Sequence, residues 1–179
     1  SSEAPPVKDA EPARGWVVLP VHNEERFLGG VLEGIRKVTA EMGDDAVILV
    51  VDDGSTDRSA SKALSAGARV VRHPFNMGYG VSLQTGFKAA LRGGAAWVVI
   101  MDADGQHDPV SLPVLLKPVL DGGADVVVGS RFLGSPDYRM PFSKRLGVGI
   151  FRMLGRLLAD LRVSDPTSGY QAYSRRAVA

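Results

Sequence analysis

The sequence lacks cysteine, and neither sign of charge predominates. Without cysteine, the chain has no disulfides, thiolate nucleophiles or cysteine-ligated metal sites, and its chemistry must use oxygen and nitrogen groups. The 21 Lys and Arg residues against 20 Asp and Glu give a formal net charge of +1. This balance gives no support for a nucleic-acid partner. Any electropositive site must therefore be local.

Long apolar runs are also lacking. The longest, residues 95–101, is far shorter than the roughly 20 residues that a membrane-spanning helix needs. Residues 1–15 are rich in Pro, Ala and charge, and we expect a disordered lead-in there. Residues 16–179 are expected to form one domain. The sequence stops at Ala179 within what could be another element, which leaves a continuation open.

Short apolar runs alternate with segments of helical spacing. The runs are rich in Val, Ile and Leu and cover residues 16–20, 46–51, 68–72, 95–101 and 124–129. Strands alternating with helices predict an α/β fold, a Rossmann-like and mostly parallel sheet with helices on both faces. In such sheets ligands bind beyond the carboxyl ends of the strands, so the polar residues after each run are candidate site residues.

Oxygen-bearing side chains follow the fourth run. If the extended conformation continues there, its period of two places Asp102, Asp104 and Gln106 on one side. Carboxylates together with substrate phosphates are typical ligands of Mg²⁺ and Mn²⁺, so we expect a metal bridging a diphosphate. The alternative is a solvated loop whose acids cap the next helix. For Asp108, before Pro109, the cap is the preferred interpretation.

Acidic pairs also follow the first and second runs. Asp52 and Asp53 are neighbours, so one can face a ligand while the other meets backbone or a nearby loop. Asp57 is expected to cap the following helix. Asn23 and Glu24 either start a helix or contact a nucleotide, and the residues alone do not decide between these.

Four segments together carry a family resemblance: residues 19–25, 51–57, 76–80 and 101–109. In this order and spacing they resemble inverting glycosyltransferases of family 2, which have the GT-A fold. Within that family the chain is similar to the branch of dolichyl-phosphate mannose synthase and other polyprenyl-phosphate glycosyltransferases. The resemblance extends over residues 16–176.

The resemblance implies roles for individual residues. A nucleotide-sugar site would be formed by Pro20, Asn23, Glu24, Asp53, Asn76, Gly78, Asp102 and Arg131, with Asp53 on the base. The metal site would comprise Asp102, Asp104 and Gln106. Catalytic roles fall to Asp104, Arg131 and Asp165. The acceptor or phosphate would meet Arg139, Arg145 and Ser168. A surface ion pair remains the alternative for Arg131, and a simple turn remains the alternative for the glycines Gly78 and Gly80.

The same resemblance implies inverting sugar transfer from a UDP- or GDP-sugar to a polyprenyl phosphate, at the cytoplasmic face of a membrane. Residues 142–161 have helical apolar spacing flanked by Lys and Arg, which suits an interfacial helix. From spacing alone, an ordinary amphipathic helix packed on the sheet is slightly favoured, and the resemblance is what favours the membrane surface. A hydroxyl acceptor, and a nucleotide-sugar-binding module without turnover, remain alternatives. A dehydrogenase is disfavoured because the glycine fingerprint after the first run is missing.

Overall fold

The computed structural model describes residues 14–129 and 168–179. Strands and helices follow one another in this order: β1 (Gly15–Val21), α1 (Leu28–Glu41), β2 (Val47–Asp52), α2 (Ser59–Ser65), β3 (Arg69–Arg72), α3 (Tyr79–Arg92), β4 (Trp97–Met101), a 3₁₀ helix (Pro109–Ser111), α4 (Leu112–Leu120), β5 (Val126–Val128), β6 (Tyr170–Ser174) and α5 (Arg175–Val178). All five predicted strands are present, each with its ends shifted by no more than two residues.

The described strands form one sheet in the order β3-β2-β1-β4-β6-β5. β1 pairs in parallel with β2 and β4, and β2 pairs in parallel with β3. The predicted mostly parallel α/β sheet is therefore confirmed. One strand was not predicted: β6 runs antiparallel between β4 and β5. Its sequence, YQAYS, is short and half polar, so it has little strand signal of its own.

Each face of the sheet is covered by helices, because successive strand residues point to opposite sides. On one face, Val17 and Leu19 of β1 pack with apolar residues of α1, α2 and α4. On the other, Trp16 and Val18 pack with α3. Gly86 allows α3 to approach closely, since a Cβ there would lie 2.3 Å from Val18 Cγ1. No helix in the described ranges is long and apolar enough to cross a membrane.

The register of the parallel strands brings the loops after three strands to the same edge of the sheet. Val21 at the end of β1 pairs with Asp52 at the end of β2. β4, on the other side of β1, ends at Met101. The loops after β1, β2 and β4 therefore emerge side by side at the carboxyl edge, where ligands bind in this class of sheet.

Candidate active site

A cavity of about 340 Å³ opens at this carboxyl edge. It is lined by Pro20, Val21, His22, Glu24, Asp53, Asn76, Tyr79, Ser82, Asp102, Ala103 and Asp104. Six of the residues expected in the donor and metal sites are among these. Three others, Asn23, Gly78 and Gln106, are not part of the lining.

Asp53 lines the cavity and is only 4% exposed. Its Oδ1 accepts hydrogen bonds from Nδ1 of His73 at 2.7 Å and from the backbone N–H of Met77 at 2.8 Å. Its Oδ2 accepts from the N–H of Gly78 at 2.8 Å. Burial alone would raise the pKa of Asp53, but these hydrogen bonds outweigh it and lower that pKa. The ionised carboxylate therefore joins the end of β2 to the loop before α3.

Asp52 is turned away from the cavity. It is fully buried, its Oδ1 accepts from the N–H of Ser55 at 3.0 Å, and its Oδ2 lies 3.0 Å from Nε of Arg72. As expected for neighbouring residues whose side chains point in opposite directions, Asp53 lines the cavity and Asp52 stabilises the turn behind it.

Asn23 joins the loops after β1 and β2. Its backbone is in the left-handed region, with a φ of 57°, which asparagine tolerates better than most residues. Its N–H donates to Oγ of Ser55 at 3.0 Å, and its Oδ1 accepts from the N–H of Thr56 at 2.9 Å. Asn23 does not cap α1, which begins at Leu28. Its side chain bonds to the loop after β2, and the predicted contact of Asn23 with a nucleotide stays a prediction.

Asp57 fastens the same two loops from the other side. Its Oδ1 accepts from the N–H of Ser59, the first residue of α2, at 2.9 Å, but the N-cap position is Arg58, so Asp57 lies one residue before the cap that was expected of it. Its Oδ2 accepts from the N–H of Glu25 at 3.0 Å. The wall of the cavity between β1 and β2 is therefore held by side-chain-to-backbone bonds.

Glu24 faces other carboxylates across the cavity. Burial raises its pKa, and the negative charges of Asp104, Asp57 and Asp102 raise it further, against a smaller opposing effect of His22. The contribution of these neighbouring carboxylates, which is secondary to that of burial, indicates negative potential in this part of the cavity. Such a site favours a cation.

The loop after β4 carries Asp102 and Asp104, but not in the extended form that would align them with Gln106. β4 ends at Met101, and Gly105 turns the chain with a φ of 78°. The N–H of Gln106 donates to Oδ1 of Asp104 at 2.9 Å, and the Gln106 side chain is exposed. The prediction that Asp102, Asp104 and Gln106 share one side of an extended segment is therefore wrong for Gln106, because the chain turns at Gly105. Asp102 and Asp104 both line the cavity, as predicted.

Asp102 is held from two sides. The hydroxyl of Tyr79, at the start of α3, donates to its Oδ1 at 3.0 Å. On the other side lies Gly169, where a Cβ would be only 1.7 Å from Oδ2 of Asp102. The N–H of Asp102 also donates to the carbonyl of Gly169 at 3.2 Å. Only glycine at position 169 leaves room for the carboxylate in this orientation.

Two further sequence expectations fall beside this loop. Asp108 caps the 3₁₀ helix, because its Oδ1 accepts from the N–H of Val110 at 3.0 Å and Pro109 follows it, as predicted. Ser168, expected near the acceptor, is 2% exposed, and its hydroxyl accepts from the N–H of Tyr170 at 3.3 Å. The acceptor role of Ser168 stays a prediction.

Several predicted site residues lie outside the described ranges. These are Arg131, Arg139, Arg145 and Asp165, together with the candidate interfacial segment 142–161. Conversely, sequence reasoning missed His22, Tyr79 and Ser82 in the lining and His73 behind Asp53. Tyr79 lies inside the segment 76–80 that carried the resemblance, so its position was the available signal.

Comparison with known proteins identifies the family. A family model described as "Glycosyl transferase family 2" matches residues 16–179. The chain belongs to this family. It is 31% identical over 172 residues to polyprenol monophosphomannose synthase of Mycolicibacterium smegmatis, covering 92% of this chain and 63% of that protein. It is 33% identical over 166 residues to undecaprenyl-phosphate mannosyltransferase of Micrococcus luteus, covering 89% and 66%.

A solved structure of glucosyl-3-phosphoglycerate synthase from Mycobacterium tuberculosis, in complex with Mn²⁺, UDP-glucose and phosphoglyceric acid, superposes with a TM-score of 0.69. It is 28% identical and is matched over 92% of this chain and 57% of its own. The chain therefore spans less than two thirds of the length of each of these relatives. The structural neighbours of this chain are GT-A glycosyltransferases, which confirms the predicted fold class.

The cavity of this family 2 domain suits a hard divalent cation. Asp102 and Asp104 offer carboxylate oxygens, the Gly169 backbone leaves a recess that admits one of them, and Glu24 adds negative potential. Within residues 14–129 and 168–179 no group of three His, Asp or Glu side chains is arranged to hold a metal by itself. A cation bound by one or two carboxylates and completed by substrate phosphates and water fits this donor set.

Proposed function

We propose that this domain transfers a sugar from a UDP- or GDP-sugar to an acceptor, with inversion at the anomeric carbon. One observation carries the proposal: a single cavity is lined both by Asp53 and Asn76, which were predicted to meet the nucleotide, and by Asp102 and Asp104, which were predicted to hold the metal. Nucleotide and diphosphate can therefore bind continuously along one edge of the sheet. Membership of glycosyl transferase family 2 supports this assignment.

The nucleoside half of the proposed site rests on Asp53. Among the described residues, its Oδ2 accepts one hydrogen bond, from Gly78, whereas Oδ1 accepts two. A carboxylate oxygen can accept two bonds, so Oδ2 retains acceptor capacity for an imino N–H of a base. Uracil and guanine both carry such a group, and Asp53 is compatible with either.

The diphosphate half rests on Asp102 and Asp104, which would hold Mg²⁺ or Mn²⁺. When bound, the cation would neutralise charge on the departing diphosphate. Gln106 is predicted to assist, although its side chain lies outside the cavity lining in this structure. The Mn²⁺ in the solved relative supports the use of a divalent ion.

The proposed reaction is a single displacement. An acceptor oxygen attacks the anomeric carbon, the bond from that carbon to the diphosphate oxygen breaks, and the nucleoside diphosphate leaves with the bonding electrons. Arg131 is predicted to stabilise the leaving phosphate, since its planar guanidinium suits bidentate contact. Asp165 is predicted to position the acceptor.

A polyprenyl phosphate is the acceptor that we favour, because two relatives are named for polyprenol and undecaprenyl-phosphate substrates. A phosphate monoester has a second pKa near 6, so its attacking oxygen is largely ionised at neutral pH and needs no strong base. The basic and apolar segment 142–161 would hold the domain at the cytoplasmic face of an anionic membrane.

A hydroxyl acceptor is the second candidate, favoured by the solved relative that contains phosphoglyceric acid beside UDP-glucose. For a hydroxyl, a base must remove the proton, and replacing Asp165 by Asn should cost about 10²–10⁴ in rate. For a lipid phosphate, the same replacement should have a modest effect that is nearly independent of pH.

The test combines binding and transfer. UDP, GDP and their sugars are screened by thermal shift with and without Mn²⁺, since a ligand of the folded state raises the melting temperature. The selected sugar nucleotide is then incubated with short-chain polyprenyl phosphate or with phosphorylated and neutral hydroxyl acceptors. Transfer to the lipid supports the proposal. Transfer only to hydroxyl acceptors would move the assignment to the second candidate, and binding without transfer would indicate a binding module.

A further inference from the structure

Tyr79 is a half-exposed residue whose hydroxyl points into the cavity rather than to solvent alone. It is the first residue of α3 and lines the site together with Asp102 and Asp104. Its hydroxyl lies 3.0 Å from Oδ1 of Asp102, a residue 23 positions later in the chain. A tyrosine at the surface of a helix needs no such partner, so the contact calls for an explanation at the site.

The residues just before Tyr79 contact Asp53, another of the carboxylates that line the cavity. The backbone N–H groups of Met77 and Gly78 donate to Oδ1 and Oδ2 of Asp53, each at 2.8 Å. Three consecutive residues, Met77, Gly78 and Tyr79, therefore bond to Asp53 directly after β2 and to Asp102 directly after β4. This short segment, the start of α3, bridges the proposed nucleoside and diphosphate halves of the site.

We infer that Tyr79 is a positioning residue that orients Asp102 for a divalent cation and couples its orientation to the loop that bonds to Asp53. The inference rests on the proposed function and names a residue that acts on the metal half of that same site. Tyr79 does not itself touch the reacting atoms in this account. It acts through Asp102.

Gly169 and Tyr79 act on different oxygens of Asp102. Gly169 accommodates Oδ2 closely on one side, which limits sideways displacement of the carboxylate. Rotation about the last side-chain bond is not limited by that contact, because glycine presents no side chain. The Tyr79 hydroxyl supplies a directional donor to Oδ1, and this bond favours one rotation of the carboxylate. Hydrogen bonds of this kind orient metal ligands and tune their affinity.

The test compares Tyr79→Phe with the wild type in Mn²⁺ titrations followed by electron paramagnetic resonance, with and without UDP or GDP. We expect the apparent Kd for Mn²⁺ to rise about tenfold, as for other hydrogen-bonded partners of metal ligands. Binding of nucleoside monophosphate without metal should stay unchanged, because Asp53 and its backbone donors are intact. In the transfer assay, the maximal rate should recover at saturating Mn²⁺.

Tyr173→Phe is the matched control. The Tyr173 hydroxyl donates to Gln171 within β6, and its ring packs edge-on against Phe87, so this change also removes one phenolic hydroxyl but leaves Asp102 untouched. Its Mn²⁺ affinity should equal that of the wild type. Melting curves of both variants verify that they are folded, which is expected because each retains its aromatic ring.

Each outcome decides a specific claim. Equal Mn²⁺ affinities in Tyr79→Phe and the wild type would overturn the positioning role. The role would also be overturned if Tyr79→Phe weakened metal-free binding of nucleoside monophosphate as much as it weakened Mn²⁺ binding. Tyr79 would then act on the nucleoside half of the site. If the wild type binds Mn²⁺ but no nucleotide, and Tyr79→Phe weakens Mn²⁺ binding, then the positioning role stands and the proposed donor is wrong.

Discussion

The Nδ1–H of His73 donates to Oδ1 of Asp53 at 2.7 Å, and the other imidazole nitrogen lies 2.9 Å from the hydroxyl of Thr85. Both His73 and Asp53 are buried. The chain of contacts runs from α3 through the end of β3 to the residue proposed to meet the base. Asp53 therefore supports the fold and faces the cavity at once, and the two roles can be separated by experiment.

Replacement of Asp53 by Ala should reduce both stability and nucleotide affinity. Donors of His73, Met77 and Gly78 would lose their acceptor, and we expect the free energy of unfolding to fall by about 2–4 kcal/mol. Urea denaturation measures this. Affinity for the free nucleoside diphosphate should fall together with that for the sugar nucleotide, because the lost contact is to the base.

Asp45→Ala is the control for that change. Asp45 is 90% exposed in its side chain and pairs with Arg14 at the surface, so its loss should leave both quantities unaltered. If Asp53→Ala were as stable as Asp45→Ala, the three hydrogen bonds would not contribute as argued. If only the sugar nucleotide bound more weakly, Asp53 would not be the base contact.

The same contacts predict a pH dependence. The pKa of Asp53 is lowered in the folded state, because its hydrogen bonds outweigh the effect of burial. Such a group stabilises the fold above its unfolded-state pKa, about 3.9, and that stabilisation is lost as pH falls through the folded-state value. The stability difference between the wild type and Asp53→Asn should be largest above about pH 5 and should narrow below about pH 4. A constant difference in urea titrations from neutral to acid pH would contradict this.

Asp104 and Asp108 should separate binding from stability. Asp104→Asn is expected to abolish the Mn²⁺-dependent part of donor binding while preserving the melting temperature, since an amide oxygen can still accept from Gln106. Asp108→Ala should do the reverse, because it removes the cap of the 3₁₀ helix and costs about 1 kcal/mol. Calorimetry with donor and Mn²⁺ measures the donor affinity of both variants, and thermal melts measure their stability. Unchanged donor affinity in Asp104→Asn would remove Asp104 from the metal site.

The strands and the location of the site were predictable from the sequence because they depend on local pattern. Runs of buried residues such as 95–101 identify a strand, and the edge rule then places Asp102 and Asp104 together with Asp53. The antiparallel insertion of β6 was not predictable, since its five residues have no strong strand pattern and its pairing with β4 is long-range. The turn at Gly105 was also not predicted, because the period of two assumes that the extended conformation continues beyond β4.

Contacts between side chains that are distant in sequence were also not predictable. Tyr79 meets Asp102 only because α3 packs against the sheet with its first turn above the end of β4. His73 meets Asp53 because β3 pairs with β2 in a particular register, Asp52 opposite Arg72. Neither pairing follows from the spacing of the residues along the chain, since both depend on how the layers pack.

Gly169→Ala tests whether the recess beside Asp102 matters for cation binding. The added methyl group would occupy a position 1.7 Å from Oδ2 of Asp102, so the carboxylate must move and lose its present orientation. We expect Mn²⁺ affinity to fall about as far as in Asp102→Asn. Gly30→Ala, in α1 with open space around it, is the control and should add up to about 1 kcal/mol of stability without changing Mn²⁺ binding. Wild-type Mn²⁺ affinity in folded Gly169→Ala would show that this orientation of Asp102 is not required, and Asp104 would then have to carry the site.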